Sequence, residues 1–120
     1  MLRASLLVDL WLIGFLVAIV LQTITQSRLA AVCSWGLAPG WQREIAFWNI
    51  AIVALIFFLR ASVPSADSAI LPALALLSLM LGANHLIAAI RHPAKIGHWA
   101  GASGNLLGVV LYGIFLLTRK

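Results

Sequence analysis

The chain has 120 residues, of which 63% are hydrophobic and 9% are charged; soluble domains carry about 25% charged residues, so the composition excludes an ordinary soluble protein. The formal net charge is +5, but the Lys and Arg residues occur mostly singly at the ends of apolar segments, where they anchor helices to lipid headgroups, and we expect no nucleic-acid partner. A chain of this length has space for one domain, so we expect residues 1–120 to form a single transmembrane domain.

The first uncharged segment lies between Asp9 and Arg28. Crossing a hydrocarbon core takes about 20 helical residues, and this segment predicts a helix over residues 6–26. A signal peptide is the competing interpretation, but its apolar region would be shorter, and no small-residue cleavage site precedes a hydrophilic region. We therefore expect the helix to be retained in the membrane.

The second segment is the shortest, because only the residues between Glu44 and Arg60 are uncharged. A spanning helix must begin before Glu44, so we predict a helix over 41–60 with the Glu44 carboxylate at the edge of the apolar layer. The third and fourth segments predict helices over 68–91 and 97–118.

Three connections join these helices. Residues 61–67 and 91–97 are short polar turns, and each predicts an antiparallel hairpin. Residues 28–40 are longer and half apolar, with Trp35 inside the segment and Trp41 directly after it, which is typical of a segment lying in the membrane interface. The predicted fold class is all-α: an antiparallel bundle of four transmembrane helices with an interfacial loop between the first and second.

Orientation depends on the basic residues. Lys and Arg divide equally between the two ends of the bundle, so the positive-inside rule gives little direction. Arg3 precedes the first helix, and on that basis we expect the termini to be cytoplasmic.

Polar side chains concentrate at the end of the bundle away from the termini. Polar groups cost free energy in lipid and are functional more often than not when they lie in a membrane. The candidates for a ligand site at this end are Gln42, Glu44, Asn49, His85 and Asn105.

Small residues recur at helical spacing on the third and fourth helices. Such residues let membrane helices approach closely, because lipid supplies no hydrophobic drive for helix association. The candidate packing residues are Gly82, Gly101, Gly104 and Gly108. We therefore predict a tight antiparallel pair, in which His85 and Asn105 lie within reach of a hydrogen bond or of one bridging water.

Two candidates keep alternative interpretations. Glu44 is either a carboxylate for proton transfer or cation binding, or a first-turn residue stabilised by the positive helix end and by Arg43 or Arg28. His85 is a haem ligand, a proton-transfer group, or a neutral imidazole that holds the hairpin together.

No cofactor or metal is expected. Haem b on His85 is the less favoured alternative, because a second buried histidine would be needed, and we expect His92 and His98 to lie near the headgroups. Cys33 is the only cysteine, which excludes an internal disulfide, and it lacks a partner at a catalytic spacing. The pattern leans away from an enzyme.

The middle of the chain resembles a known family. Residues 34–36 (SWG) and 39–49 (PGWQREIAFWN) are similar to the Gly-Trp … Gln-x-Glu-x-Gly-Phe-x-Asn pattern of the small four-helix bacterial membrane proteins catalogued as DUF6790, a family of unknown function. Residues 82–85 (GANH) resemble its Gly-x-Gly-His.

The resemblance covers about the central half of the chain. Ala46 and Asn84 stand where family members often have glycine. The residues carried over are Gln42, Glu44, Phe47, Asn49 and His85. The resemblance implies a stand-alone bundle in a bacterial inner membrane, with no activity attached.

Function is predicted only by class. Small size and glycine-rich seams favour a non-enzymatic accessory or scaffold subunit, with other membrane subunits or further copies of the chain as partners besides the lipid bilayer. The alternative is a small-molecule or lipid-like ligand site, possibly with acid–base chemistry, around Glu44, Asn49, His85 and Asn105. A haem-binding bundle is third.

Overall fold

The structure, a computed structural model, describes residues 2–119 and is helical without strands in that range. Four of its helices are long and apolar enough to cross a membrane, which confirms the predicted fold class. The helices are α1 (Ala4–Thr23), α2 (Gln26–Val32), α3 (Pro39–Ser62), α4 (Ala66–Arg91) and α5 (Ile96–Thr118). Met1 and Lys120 lie outside the described residues.

The connection between α1 and α3 departs most from the predicted boundaries. α1 ends at Thr23, and the short helix α2 lies within the predicted interfacial loop. Gly36 then adopts a φ of +73°, in the left-handed region that favours glycine, before α3 begins. Pro39 lies in the first turn of α3, where a missing N–H costs little. Glu44 consequently lies in the second turn of α3.

Helices α4 and α5 form the closest pair in the bundle. Contacting residues have increasing residue numbers on α4 and decreasing residue numbers on α5, so the two helices are antiparallel. The opposed pairs are Ser78 with Gly108, Gly82 with Asn105, and His85 with Gly101. A Cβ atom added at any of these three glycines would lie within 3.2 Å of a neighbouring side chain, and the absence of that atom lets the helices approach.

Gly104 is the exception among the predicted packing residues. It is exposed, and a Cβ atom placed on it would have no neighbour within 4 Å. Three residues of helix rotate it about 60° from Gly101, which takes it off the contact face. Its assignment to the packing seam was wrong.

The apolar core fills the half of the bundle near the termini. We call this half the terminal end, and the opposite half, which carries α2 and the α4–α5 turn, the loop end. The core consists of Leu7, Val8, Leu12, Phe15, Ile56, Leu71, Leu74 and Phe115. Because these side chains come from all four long helices, the terminal end is closed by packing.

Arg60 joins three helices at the terminal end. Its guanidinium donates to Asp67 Oδ1 from Nε at 2.6 Å and to Asp9 Oδ1 from Nη1 at 2.7 Å. A third bond, of 3.2 Å, runs from Nη2 to the carbonyl oxygen of Ser5. Two of the three acidic residues of the chain are therefore used in a structural ion-pair cluster.

Trp11 occupies the middle of the bundle. Its indole Nε1 donates to Ser78 Oγ at 2.7 Å, and its ring lies 3.1 Å from the position of a Cβ atom on Gly108. This contact brings α1 onto the α4–α5 pair. Trp11 is thus an internal packing residue and not a membrane-interface anchor.

Candidate functional site

Two histidines and a tryptophan form a cluster at the loop end. His98, near the start of α5, is fully buried, and His85 of α4 is half-buried. Their ring centroids lie 5.7 Å apart. The Trp35 ring packs on both, with centroids 4.8 Å from His85 and 4.6 Å from His98. The connection after α2 therefore covers the histidine pair.

Hydrogen bonds assign the protons of this cluster. The backbone N–H of Ser34 donates to His98 Nε2 at 2.9 Å, and Ser34 Oγ lies 2.8 Å from the same nitrogen. Since Nε2 accepts, the neutral His98 ring carries its hydrogen on Nδ1. That Nδ1 faces Nδ1 of His85 at 3.5 Å, the long end of the hydrogen-bond range. The His85 hydrogen accordingly belongs on Nε2.

Glycines let the polypeptide close around the histidines. A Cβ atom on Gly101 would lie 2.5 Å from His85 Nδ1, so the imidazole of His85 rests on the bare backbone of α5. A Cβ atom on Gly97 would lie 2.7 Å from Cys33 Sγ and 2.9 Å from the Val32 carbonyl oxygen. The first connection thus packs directly on the beginning of α5.

His85 contacts Gly101, whereas the predicted partner was Asn105. Asn105 instead donates from Nδ2 to the carbonyl oxygen of Gly101 in its own helix, at 2.8 Å. The hairpin register explains the difference: α4 ends at Arg91 and α5 begins at Ile96, so the turn is centred before Lys95, the midpoint that a His85–Asn105 pair would require. The predicted partner is displaced by one helical turn.

His98 is buried, although a residue so near the beginning of α5 was expected at the headgroups. It lies close to the end of its helix, as expected, but Trp35 and Ser34 cover it and leave 0% of its surface exposed. The periodicity of α5 did not contain this information, because the covering residues belong to the first connection. His92 is exposed.

Glu44 lies on a different face from the histidine cluster. It is exposed and lines a recess of about 270 Å³ with Phe47, Trp48 and Ala51, all from α3. Within residues 2–119 no basic side chain lies within ion-pair distance of its carboxylate, so the interpretation as a residue paired with Arg43 or Arg28 is wrong. The recess contains none of the other candidate ligand-site residues, which are Gln42, Asn49, His85 and Asn105.

Gln42 lies on the opposite side of α3 from Glu44. It is 6% exposed, and its Oε1 has no hydrogen-bond donor in the described part of the chain. Gln22 Oε1 and Thr25 Oγ1, near the end of α1, are likewise buried without a partner. Asn49 follows Gln42 by two turns and is half-buried on the same stripe. Gln42 and Asn49 therefore share a face of α3 that does not include Glu44.

The histidine pair does not fit a haem. Bis-histidine ligation places the macrocycle between two opposed imidazoles, whereas here the two rings contact each other and Trp35. Four residues now define the cluster: Ser34, Trp35, His85 and His98. Of these four, only His85 was a predicted site residue. The half-apolar composition of the first connection, which contains Ser34 and Trp35, was the signal for the other side of the cluster.

Cys33 lies beside the cluster in the first connection. Its side chain is buried, and burial raises the pKa of the thiol, while the nearby charge of Lys95 lowers it by a smaller amount. Lys95 itself donates from Nζ to the Ala31 carbonyl oxygen at 2.9 Å. The thiol is thus held in its protonated form, which suits packing and not nucleophilic chemistry.

Comparison with protein-family models, with curated proteins and with solved structures finds no match to this chain. The resemblance to DUF6790 stays a prediction.

Proposed function

We propose that this chain is a non-enzymatic accessory or scaffold subunit of a membrane complex, and that the outer face of α3 docks on another subunit. We define this face by its exposed stripe of Glu44, Phe47, Trp48, Ala51, Leu55 and Phe58. The observation that carries the proposal is the Glu44 carboxylate, which has no partner in its recess among large apolar side chains.

The free-energy cost of an unpaired carboxylate near the apolar layer supports a docking role for the face that carries Glu44. A carboxylate near the apolar layer is costly unless it is paired or hydrated, and charged membrane residues mostly face other helices or water-filled cavities. Here Gln42 and Ala46 occupy the side of α3 that is buried against the bundle, so Glu44 is left on the outside. A second helix would supply the missing donor.

The aromatic side chains around Glu44 indicate the shape of the partner. Trp48 is 72% exposed and Phe47 64% exposed, and aromatic residues are enriched at the centre of protein interfaces. The recess is shallow and lies between side chains of one helix. It suits a partner helix that presents a Lys or Arg, or an N–H or O–H donor, at the depth of Glu44.

A second copy of the chain fits this face less well than a different subunit. Copies in one membrane share an orientation, so a two-fold axis along the membrane normal would bring Glu44 against Glu44 at equal depth. Like charges at such a distance repel. We therefore favour a heterologous partner, with a bacterial inner membrane and cytoplasmic termini as the proposed setting.

Site-specific photo-crosslinking in native membranes tests the docking face. A photoreactive amino acid at Trp48 is expected to give one discrete crosslink to a different membrane protein. The same probe at Leu107, which is 58% exposed on α5, is the matched control and is expected to give none. Glu44→Gln is expected to reduce the co-purified partner about tenfold, and Arg43→Gln to leave it unchanged.

Two outcomes would contradict the proposal. One is a monomer in mild detergent without crosslinks at Trp48. The other is a crosslink between two differently tagged copies of the chain, which would show that the face forms a homo-oligomer. The alternative of a single ligand site is less well supported, because the recess of Glu44 is separate from the cluster of His85.

A further inference from the structure

A second recess lies at the loop end, on the outside of α4. It has a volume of about 240 Å³ and is lined on one side by Ser34 and Trp35. The other lining residues are Asn84, Ile87, Ala88 and Arg91 of α4 and His92 directly after it. The first four of these recur at intervals of three, one and three residues, so they form one stripe along the helix.

The recess carries a positive charge that no acidic side chain in its lining neutralises. Arg91 brings a permanent positive charge, and His92 and Asn84 bring N–H donors. No acidic side chain lines it. Asp9 and Asp67 bind Arg60 at the terminal end, and Glu44 lines the recess on α3. The charge of this recess therefore favours an anion.

The depth of the polar groups matches a phospholipid. Arg91 is the last residue of α4, at headgroup level, and Asn84 lies seven residues earlier, about 10 Å deeper along the helix. A phosphate at Arg91 and His92 would place the glycerol ester carbonyls toward Asn84. A free phosphate ion could contact Arg91 and His92 but would not reach Asn84.

The surface below the recess suits an acyl chain. Ile87 is 50% exposed, and two and three turns earlier on α4 Met80 and Leu76 are 64% and 58% exposed. Trp35 forms the opposite wall at the interface, where indole rings are favoured. Headgroup and tail would thus both find matching surface along one side of α4.

We propose that this recess binds the phosphate of an anionic phospholipid, with Arg91 as the charged anchor and Asn84 as the donor to the ester region. Because the recess lies on α4 and the docking face on α3, the two proposals succeed or fail independently.

Native mass spectrometry of the full chain in mild detergent tests the site. Phosphatidylglycerol and phosphatidylcholine with identical acyl chains are titrated separately. Both lipids offer a phosphate to Arg91, but the quaternary ammonium of phosphatidylcholine is repelled by the positive recess. We therefore expect about tenfold tighter binding of phosphatidylglycerol. Arg91→Gln is expected to remove this preference, and Asn84→Leu to weaken both lipids while the preference remains.

Matched controls separate the site from general electrostatics. Arg43→Gln removes the same charge from another exposed arginine at the loop end and is expected to leave the preference unchanged. Equal losses in Arg43→Gln and Arg91→Gln would overturn the proposal. Displacement of the lipid by millimolar inorganic phosphate would overturn it as well, because it would show a simple anion site. Thermal unfolding of each variant confirms that the fold is intact.

Discussion

The backbone N–H of Ser34 donates to Nε2 of His98 across 64 residues of sequence. This bond fixes three things together: the position of the first connection, the burial of His98, and the identity of the nitrogen that carries its hydrogen. It also holds Trp35, the next residue, on the two imidazole rings. The loop end is therefore ordered by a polar contact, whereas the terminal end is ordered by apolar packing and the Arg60 ion pairs.

The tautomer of His98 is the first prediction. We expect the nitrogen spectrum of the side chain to show hydrogen on Nδ1 and a lone pair on Nε2, because Nε2 accepts from Ser34. His98→Phe leaves the Ser34 N–H without its acceptor and is expected to lower the free energy of unfolding by about 1–3 kcal/mol. His92→Phe, at an exposed position, is the control and is expected to be nearly neutral. An Nε2–H signal for His98 would contradict the assignment.

The glycines of α5 make the second prediction. Gly101→Ala places a methyl group 2.5 Å from the His85 ring and is expected to lower the free energy of unfolding by about 1–3 kcal/mol, the cost of overpacking. Gly104→Ala meets no atom within 4 Å and is expected to be neutral or stabilising by up to about 1 kcal/mol, since alanine favours helix over glycine. Thermal unfolding in detergent measures both. Equal destabilisation of the two variants would mean that the α4–α5 register is wrong.

The Arg60 cluster makes the third prediction. Asp67 has a less exposed side chain than Asp9, at 23% against 53%, and exposed ion pairs contribute only about 0–1 kcal/mol. We therefore expect Asp67→Asn to destabilise the protein more than Asp9→Asn. In the Arg60→Gln background, which lacks the shared guanidinium, both substitutions are expected to lose most of their effect. Additive losses in the double variants would show that the pairs do not form.

The four spans could be predicted because they depend on local composition. An uncharged segment long enough to cross a bilayer is visible in the sequence whatever its neighbours are. The small-residue seam was visible for the same reason, and it identified Gly82, Gly101 and Gly108 as packing residues. The contact face covers only part of the circumference of each helix, however, and Gly104 lies just outside it. Helical spacing alone does not define that edge.

The histidine cluster could not be predicted from periodicity. It depends on the α4–α5 register, which shifts by one helical turn when the loop between the two helices is centred a few residues earlier. It also depends on the first connection, which folds back over the beginning of α5. Polar residues at one end of a bundle predict a leaflet, but they do not determine which side chains meet. Glu44 and His85 share the loop end and still lie on separate surfaces.

Gln42 makes the fourth prediction. Its Oε1 is buried without a hydrogen-bond donor among residues 2–119, and an unsatisfied buried polar group costs about 1–3 kcal/mol. Gln42→Leu keeps a side chain of similar size and removes this cost, so we expect equal or greater thermal stability. Leu12→Gln, which would introduce a polar group into the apolar core, is the opposite control and is expected to destabilise. A large loss of stability in Gln42→Leu would show that the amide has a partner in the membrane.

Cys33 makes the last prediction, which concerns pH. Burial raises the pKa of its thiol above the ordinary value of 9.0, so the folded protein holds the proton more tightly than the unfolded chain does. The contribution of the thiol to stability is therefore fully present below pH 9.0 and is lost as the pH rises through the raised folded-state pKa. Cys33→Ala removes this contribution. The difference in unfolding free energy between the wild type and Cys33→Ala should therefore narrow as the pH rises from 9.0 through the folded-state pKa. At neutral pH the folded wild-type thiol should also react with maleimide much more slowly than the unfolded one. Equal labelling rates, or a difference between wild type and Cys33→Ala that is independent of pH, would show that the thiol is not buried against Gly97.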